Sequence, residues 1–151
     1  MSMETVAQGP SEGQVVNLMG AEIRVRVGAG ETDGSLGFAE VTAPPQWGGP
    51  PPHVHHAHDE TFYVVEGEYE FKVGDRTVRA GPGSFVFVPR EVAHAFSNPG
   101  QTAAKLACVV SPAGYEKYFE DVAKVMPAGG PPDPQAIYGV MKKYETDPAT
   151  I

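Results

Sequence analysis

The segment PPHVHHAHDETFYVVEG, residues 51–67, holds four histidines and two acidic residues within eight consecutive positions. His53 and His55 lie two positions apart, so on a β-strand both side chains point to the same face. Two charged imidazoles would be costly to bury in an apolar barrel, whereas neutral imidazole is the commonest metal ligand in proteins. The spacing therefore indicates a metal site on the inner face of a sheet.

Glu60 follows His55 by five positions, an odd spacing that would send it to the opposite face of a continuous strand. We expect the short polar segment HAHD, residues 56–59, to form a turn that resets the alternation. Glu60 and Phe62 would then face inward, which brings a carboxylate beside the two imidazoles.

His94 begins a further alternating segment, HAFSN, in which it shares a face with Phe96. With His53, His55 and Glu60 it makes a set of three imidazole nitrogens and one carboxylate oxygen. Such a set leaves two positions of an octahedron open and suits Fe, Mn, Ni, Co, Cu or Zn. The sequence thus predicts one divalent transition metal and does not choose among these elements.

Other polar side chains of the segment have separate interpretations. His58 stands three positions after His55 and is an alternative to Glu60 as the fourth ligand; otherwise it does not bind the metal. His56 and Asp59 are interpreted as solvated surface residues. Glu60 is also the candidate catalytic base, since a carboxylate can move between a metal and a proton.

The segment EYEFKVGDRTVRAG, residues 68–81, is a predicted β-hairpin. Its Gly74-Asp75 pair is a two-residue hairpin signal of the kind that begins with glycine. With these two residues as the loop, Glu70 and Arg79 lie opposite each other as a cross-strand charge pair.

Composition and length predict one mostly β domain. Glycine and proline are plentiful, at 18 and 15 of 151 residues, which is typical of short strands joined by tight turns. We expect an all-β barrel of roughly eight to ten strands, with two short C-terminal helices. Ser111-Pro112 and Asp133-Pro134 mark the predicted helix starts. The predicted divisions are a flexible N-terminal tail (1–13), the β-barrel (14–111) and a helical extension packed on the barrel (112–151).

The formal net charge of −8 argues against some partners. An acidic chain is repelled by phosphate backbones and anionic membranes, so neither nucleic acid nor a membrane is an expected partner. The single cysteine, Cys108, excludes an intramolecular disulfide and fits a reducing compartment. With no signal-peptide or membrane-span pattern, we expect a cytoplasmic protein that binds a small molecule.

Two motifs closely resemble those of the cupin superfamily. The first cupin motif runs Gly-x5-His-x-His, three or four residues, Glu, six residues, Gly. His53, His55, Glu60 and Gly67 stand at this spacing, and the leading glycine, Gly48, is displaced by one position.

The second cupin motif runs Gly-x5-Pro-x-Gly-x2-His-x3-Asn. Gly83, Pro89, His94 and Asn98 match it, while Glu91 stands at the second glycine. The two motifs cover residues 48–98, and together they are far more specific than a lone His-x-His.

The resemblance implies a double-stranded β-helix, or jelly-roll, barrel with His53, His55, Glu60 and His94 around a divalent metal. The chain is also similar to single-domain, flavonol (quercetin) dioxygenase-like cupins. That similarity implies a dioxygenase-type oxidoreductase acting on a small aromatic or enolic substrate, and a homodimer. A non-oxidative isomerase, lyase or hydrolase and a non-catalytic binding module are the alternatives, since one fold hosts many functions.

The candidate substrate pocket is apolar. Its candidate residues are Trp47, Phe62, Phe87, Phe96 and Cys108, although barrel packing explains the phenylalanines equally well. The loop PPQWGGPPP, residues 44–52, is either a lid with Trp47 at its tip or a rigid edge connection, because its prolines exclude a central strand.

Overall fold

The computed structural model describes residues 3–127 and 132–151 of the chain. Residues 1 and 2 of the predicted tail and residues 128–131 of the predicted extension lie outside this description. The described strands are Gln14–Leu18 (β1), Ala21–Val27 (β2), Gly37–Ala43 (β3), His53–His55 (β4), Asp59–Glu66 (β5), Tyr69–Val73 (β6), Arg76–Ala80 (β7), Phe85–Val88 (β8), His94–Ser97 (β9), Ala104–Ser111 (β10) and Thr146–Pro148 (β11). The described helices are Ala29–Thr32 (α1), Glu116–Val125 (α2) and Pro134–Lys143 (α3).

Two antiparallel sheets enclose the core. One has six strands in the order β1-β2-β3-β10-β5-β8, and the other has five in the order β11-β4-β9-β6-β7. Inward-facing residues alternate with outward-facing ones along the strands, so that Val41, Leu106 and Phe71 are buried between the sheets. This arrangement confirms the predicted all-β, double-stranded β-helix barrel.

The alternation of β5 is set by the turn that precedes it. Glu60, Phe62 and Val64 are buried, with at most 4% of their surface exposed, whereas Tyr63 and Val65 are each 49% exposed. The HAHD segment therefore resets the register as the sequence predicts. Without that reset, the carboxylate of Glu60 would face solvent.

The predicted hairpin is confirmed in register. β6 and β7 pair around the Gly74-Asp75 loop, with Glu70 opposite Arg79. The Nε of Arg79 donates to a carboxylate oxygen of Glu70 at 3.0 Å. Since Arg79 is well exposed, this ion pair specifies the register more than it stabilises the fold.

The chain departs from the two motifs at two glycine positions, the one that Glu91 takes and the leading glycine of the first motif. Glu91, at a motif glycine, keeps the left-handed backbone with φ of 71°, at a strain of roughly 1–2 kcal/mol; its amide donates to the carbonyl of His55 at 2.7 Å. A Cβ on Gly49 would fall 1.8 Å from the carbonyl oxygen of Phe96, whereas one on Gly48 would meet no atom within 4 Å. Gly49 is thus the tightly packed glycine of its loop, and Gly48 is not.

The two C-terminal helices are present, but one begins later than predicted. α3 begins as expected, with the Asp133 side chain accepting from the amide of Gln135 and proline at the first turn. Ser111 is not a helix cap: it ends β10, where it pairs with Asp59 of β5. The prediction is wrong there because strand pairing extends β10 to Ser111, and α2 begins only at Glu116.

A further strand follows α3 and was not predicted. β11 pairs with β4, placing Thr146 opposite His55. Its three residues, Thr-Asp-Pro, are too short and too polar to carry an alternating pattern. The C-terminal extension therefore adds a strand to the sheet that carries the histidines, and the boundary between residues 111 and 112 stays a prediction.

The segment before β1 is held to the sheet by arginines. The Arg26 guanidinium donates to the carbonyls of Gly9 and Glu12, at 2.8 and 2.9 Å. Arg24 donates to the carbonyl of Ser11 at 2.9 Å. The assignment of residues 1–13 as a flexible tail stays a prediction.

No helix within residues 3–127 and 132–151 combines the length and the apolar character that crossing a bilayer requires. The cytoplasmic location stays a prediction. So do the expected absence of nucleic-acid and membrane partners and the small-molecule partner.

Candidate metal centre

Four predicted ligands meet inside the barrel. His53 and His55 lie on β4 and His94 on the neighbouring β9, where it pairs with His53. Glu60 comes from β5 in the facing sheet, so a carboxylate opposes three imidazoles across the interior. One ligand atom from each of the four buried residues lies within 4.8 Å of the others, and this group could hold a metal ion.

Hydrogen bonds orient two of the three imidazoles. The Nδ1 of His53 lies 2.9 Å from the carbonyl oxygen of Pro51, and that of His94 lies 3.0 Å from the carbonyl oxygen of Val92. A carbonyl only accepts, so each Nδ1 carries the hydrogen. Each Nε2 then faces the cluster, the position from which a metal-binding histidine coordinates.

His55 is oriented by a residue that the sequence analysis missed. Its Nδ1 lies 2.8 Å from the hydroxyl oxygen of Thr146 on β11. That hydroxyl donates to the carbonyl of Tyr144 at 3.1 Å, so it accepts from His55. The Nε2 of His55 is buried without a hydrogen-bond partner among the described residues, as expected of a metal-binding nitrogen.

The cluster places an ionised carboxylate beside two imidazoles of lowered pKa. Burial, then the proximity of His94 and His55, lowers the pKa of His53 to about 3. Burial also lowers the pKa of His55. Burial raises the pKa of Glu60, but the charges and hydrogen bonds of the surrounding histidines outweigh it and hold that pKa well below its usual range. The site thus offers an anion and two imidazoles, those of His53 and His55, that favour the neutral form.

One proton takes the place that a cation would fill. The Nε2 of His94 lies 2.9 Å from the Oε2 of Glu60. Burial lowers the pKa of His94, but the hydrogen bond and charge of Glu60 outweigh it and raise that pKa above its ordinary value. Because the Nδ1 also donates, this contact needs a proton on Nε2, and a divalent cation can replace that proton. The donor set therefore fits a metal.

His58 is not part of the four-residue group, yet it lies beside it. It is 4% exposed, and its ring centroid lies 4.2 Å from that of His55 and 4.6 Å from that of Tyr115. Its Nε2 lies 3.6 Å from the Oε1 of Glu60. Glu60, rather than His58, thus faces the other three predicted ligands.

His56 and Asp59 lie at the surface, as the sequence predicts, and both are paired. The ring nitrogens of His56 contact the carboxylates of Glu91 and Asp147 at 2.8 and 2.9 Å. The carboxylate of Asp59 accepts from the backbone and guanidinium of Arg90. Neither side chain reaches the cluster.

A cavity of about 1000 Å³, its open mouth included, runs from His53 and Glu60 towards the C-terminal helices. Four of the predicted pocket residues line it: Trp47, Phe62, Phe96 and Cys108. Their contact with a substrate stays a prediction. The C-terminal extension, which the sequence predicts to pack on the barrel, supplies the facing wall: Tyr115, Tyr118, Phe119, Val122, Met126, Ile137 and Met141.

The prediction that Phe87 belongs to the substrate pocket is wrong. Its side chain is 52% exposed and does not line the cavity. β8 pairs with β5 so that Phe87 lies opposite Thr61, both on the outer face. Val88, one residue later, is the buried neighbour. The alternation of β8 therefore points Phe87 away from the barrel.

The loop of residues 44–52 is fixed to the barrel. The indole of Trp47 is 7% exposed and donates to the carbonyl of Met19 at 3.0 Å. Its backbone carbonyl accepts from the amide of Asn98 at 2.9 Å. These contacts favour a rigid edge connection over a lid.

A family model matches the part of the chain that contains the two motifs. The Cupin_2 family, described as a cupin domain, matches residues 39–110. Quercetin 2,3-dioxygenase of Bacillus subtilis (strain 168) is 30% identical over 88 residues, which cover 56% of this chain. The chain spans only 25% of the length of that relative.

Solved structures show the same fold. An RmlC-like cupin from Shewanella frigidimarina NCIMB 400 matches with a TM-score of 0.64 at 21% identity, covering 77% of this chain and 98% of that one. Pac13, a nucleoside dehydratase from Streptomyces, matches with a TM-score of 0.60 at 20% identity, covering 77% and 88%. Residues 39–110 of the chain therefore match a cupin domain, and the solved structures share the fold that surrounds it.

Proposed function

We propose that this chain is a metal-dependent, dioxygenase-type cupin that acts on a small aromatic or enolic substrate. One observation carries the proposal: His53 and Glu60 open into a cavity whose other walls are almost wholly apolar. None of its described lining residues is a lysine or an arginine. A phosphate or polycarboxylate would find no cationic side chain there to balance its charge, whereas an aromatic ring with one metal-binding oxygen fits.

Three imidazoles and one carboxylate would hold the metal. His53, His55 and His94 would bind through Nε2 and Glu60 through a carboxylate oxygen, a set suited to Fe, Mn, Ni, Co, Cu or Zn. When bound, a redox-active metal supplies a place where an enolate oxygen and O2 can be held together.

Glu60 is the candidate base in this account. Its carboxylate is buried at the cavity wall, and its low pKa keeps it ionised. It would take the proton of the enol or phenol hydroxyl, leaving the enolate for oxidation. Both atoms of O2 enter the product and the substrate supplies the electrons, so no external reductant is needed. The apolar walls would keep water from the enolate.

A non-oxidative metalloenzyme is the second candidate, and the likeness to Pac13, a dehydratase, favours including it. The same ligands would then hold a Lewis acid that polarises a carbonyl. A non-catalytic binding module is the third candidate.

Oxygen consumption separates the candidates. Protein loaded in turn with each metal would be given flavonols, catechols and 1,3-diketones, with Glu60→Gln as the inactive variant and Val15→Ala as a control at an exposed side chain outside the cavity. O2 uptake by wild type and Val15→Ala, but not by Glu60→Gln, is the expected result. Turnover under argon would favour the second candidate, and binding without turnover the third.

We also propose that two copies pair through the outer face of β5 and β8. Tyr63, Val65, Phe85 and Phe87 are 49%, 49%, 64% and 52% exposed. At about half exposure these side chains present on the order of 400 Å² of apolar surface, and monomers rarely expose contiguous apolar patches larger than a few hundred Å².

Charge favours a second copy as the partner. Arg90, whose guanidinium also binds Asp59, follows β8 at one end of this patch, and Glu66 ends β5 at the other. A two-fold axis that sets the β8 strands antiparallel would place Arg90 beside the partner's Glu66. Such an interface is self-complementary, as two-fold dimers require.

A further inference from the structure

Four of the five histidines are buried, and His58 is the one outside the ligand set. Its ring is held between those of His55 and Tyr115. Its Nε2 is fully buried without a hydrogen-bond partner among the described residues. The nearest carboxylate oxygen, Oε1 of Glu60, lies 3.6 Å away, slightly beyond hydrogen-bond range. A buried, unpartnered ring nitrogen aimed at a candidate ligand needs an explanation.

The two oxygens of Glu60 face the imidazole nitrogens that a metal would bind. Oε2 lies 2.9 Å from the Nε2 of His94, and Oε1 lies 3.3 Å from the Nε2 of His55. The Nε2 of His55 has no hydrogen-bond partner among the described residues, so it gives Oε1 no hydrogen bond, and a metal on the Nε2 of His94 would remove the donor of Oε2 as well. One oxygen of Glu60 would then bind the metal, and the other would be left without a donor.

We propose that His58 is the positioning residue for Glu60. Its Nε2–H would donate to one oxygen of the Glu60 carboxylate, and the other oxygen would remain available to hold a metal or to accept a proton. A shift of less than about 1 Å brings the 3.6 Å separation into hydrogen-bond range. This inference rests on the metal centre of the proposed function, and it adds a residue outside the ligand set.

The surroundings of His58 allow matched variants. His58→Phe keeps an aromatic ring between His55 and Tyr115 but removes the N–H donor. His58→Gln keeps a donor, and His58→Met is nearly the same size without one. The Gln and Met pair separates loss of the hydrogen bond from loss of the ring stack, and it replaces His58→Phe if that variant does not fold.

The test uses Co²⁺ as the probe and needs no substrate. Metal-free wild type and each variant would be titrated with Co²⁺, following visible absorption, with a competing chelator for affinity and plasma mass spectrometry for stoichiometry. We expect His58→Phe and His58→Met to bind one Co²⁺ per chain roughly 10- to 100-fold more weakly. Their spectra should shift towards that of Glu60→Gln, and His58→Gln should restore both affinity and spectrum.

A double variant tests whether His58 acts through Glu60. His58→Met/Glu60→Gln should bind Co²⁺ no more weakly than Glu60→Gln alone. Similar midpoints of thermal unfolding for the metal-free proteins would show that the variants fold. A purely structural role of His58 would instead lower the midpoints of the His58 variants.

Three results would overturn the inference. Unchanged affinity and spectrum in the variants without a donor would leave His58 as a packing residue. Complete loss of Co²⁺, as in a His53→Ala/His94→Ala variant, would make it a direct ligand. Wild type that takes up no Co²⁺ would remove the metal centre as well. By contrast, a negative oxygen assay beside the expected Co²⁺ results would contradict only the dioxygenase proposal.

Discussion

The Nδ1 of His55 lies 2.8 Å from the hydroxyl oxygen of Thr146, although 91 positions separate the two residues in the chain. Thr146 is 1% exposed and belongs to β11, which pairs with the strand that carries His55. The final strand of the fold thus fixes the ring orientation of a candidate ligand that lies near the middle of the sequence.

We expect Thr146→Val to weaken Co²⁺ binding about 10-fold, since partners that orient a ligand are worth 10- to 100-fold in metal affinity. It should also lower the free energy of unfolding by about 1–2 kcal/mol, because a buried donor on His55 is left unsatisfied. Competition titration and urea unfolding measure the two effects. Thr146→Ser should recover both; a Ser variant as weak as Val would point to packing instead.

Metal affinity should rise with pH. The pKa of His94 is raised in the metal-free protein because Glu60 outweighs the effect of burial, so below that pKa a metal must displace a proton from Nε2. Apparent Co²⁺ affinity should fall up to about tenfold per pH unit below this pKa and level off above it.

The stability of the metal-free protein should depend on pH in the opposite direction to its metal affinity. A raised folded-state pKa stabilises the metal-free protein below about 6.5, the unfolded value for histidine, and that contribution is lost as pH rises through the pKa of His94. Proton release on Co²⁺ addition, followed with a pH indicator, checks the assignment. Release that does not change with pH near neutrality would contradict it.

The α2 wall of the cavity is anchored by a buried carboxylate. Glu116 is 7% exposed, and its oxygens accept from the amides of Ala29 and Gly114, at 2.8 and 2.6 Å. We expect Glu116→Ala to lower the free energy of unfolding by about 2–3 kcal/mol, since hydrogen bonds to charged groups are the stronger kind. Urea unfolding measures the loss. Glu120→Ala, on the same helix and exposed, should change stability by less than about 0.5 kcal/mol, and equal losses would refute the anchor.

The outer patch of β5 and β8 should hold a dimer together. Phe85→Ser/Phe87→Ser should convert a dimer to a monomer in light scattering coupled to gel filtration, because exposed aromatic area drives association. Met19→Ser, another exposed apolar side chain at 42%, should leave the dimer intact. A monomeric wild type, or a dimer that survives the double change, would contradict this interface.

Local pattern predicted much of the site. His53, His55 and Glu60 lie close together in sequence, so strand alternation and one polar turn are enough to bring them to one interior. The hairpin around Gly74-Asp75 follows in the same way, because a two-residue loop fixes the register of its strands.

What the sequence did not predict depends on packing between distant segments. Thr146 sits in a strand of three residues without an alternating pattern, and it reaches His55 only through the course of the C-terminal extension. The burial of His58 depends on Tyr115, which packs over it from another element. Phe87 was misplaced because hydrophobicity alone does not say which face of β8 is inside; both Phe87 and its neighbour Val88 are apolar.

Metal content tests the central claim most directly. Protein purified without a metal-affinity tag would be analysed by plasma mass spectrometry, beside a His53→Ala/His94→Ala variant prepared in the same way. The four-residue site predicts close to one divalent transition metal per chain in the wild type and none in the variant. A wild type without metal that takes up none on titration would contradict the metal centre and the function proposed from it.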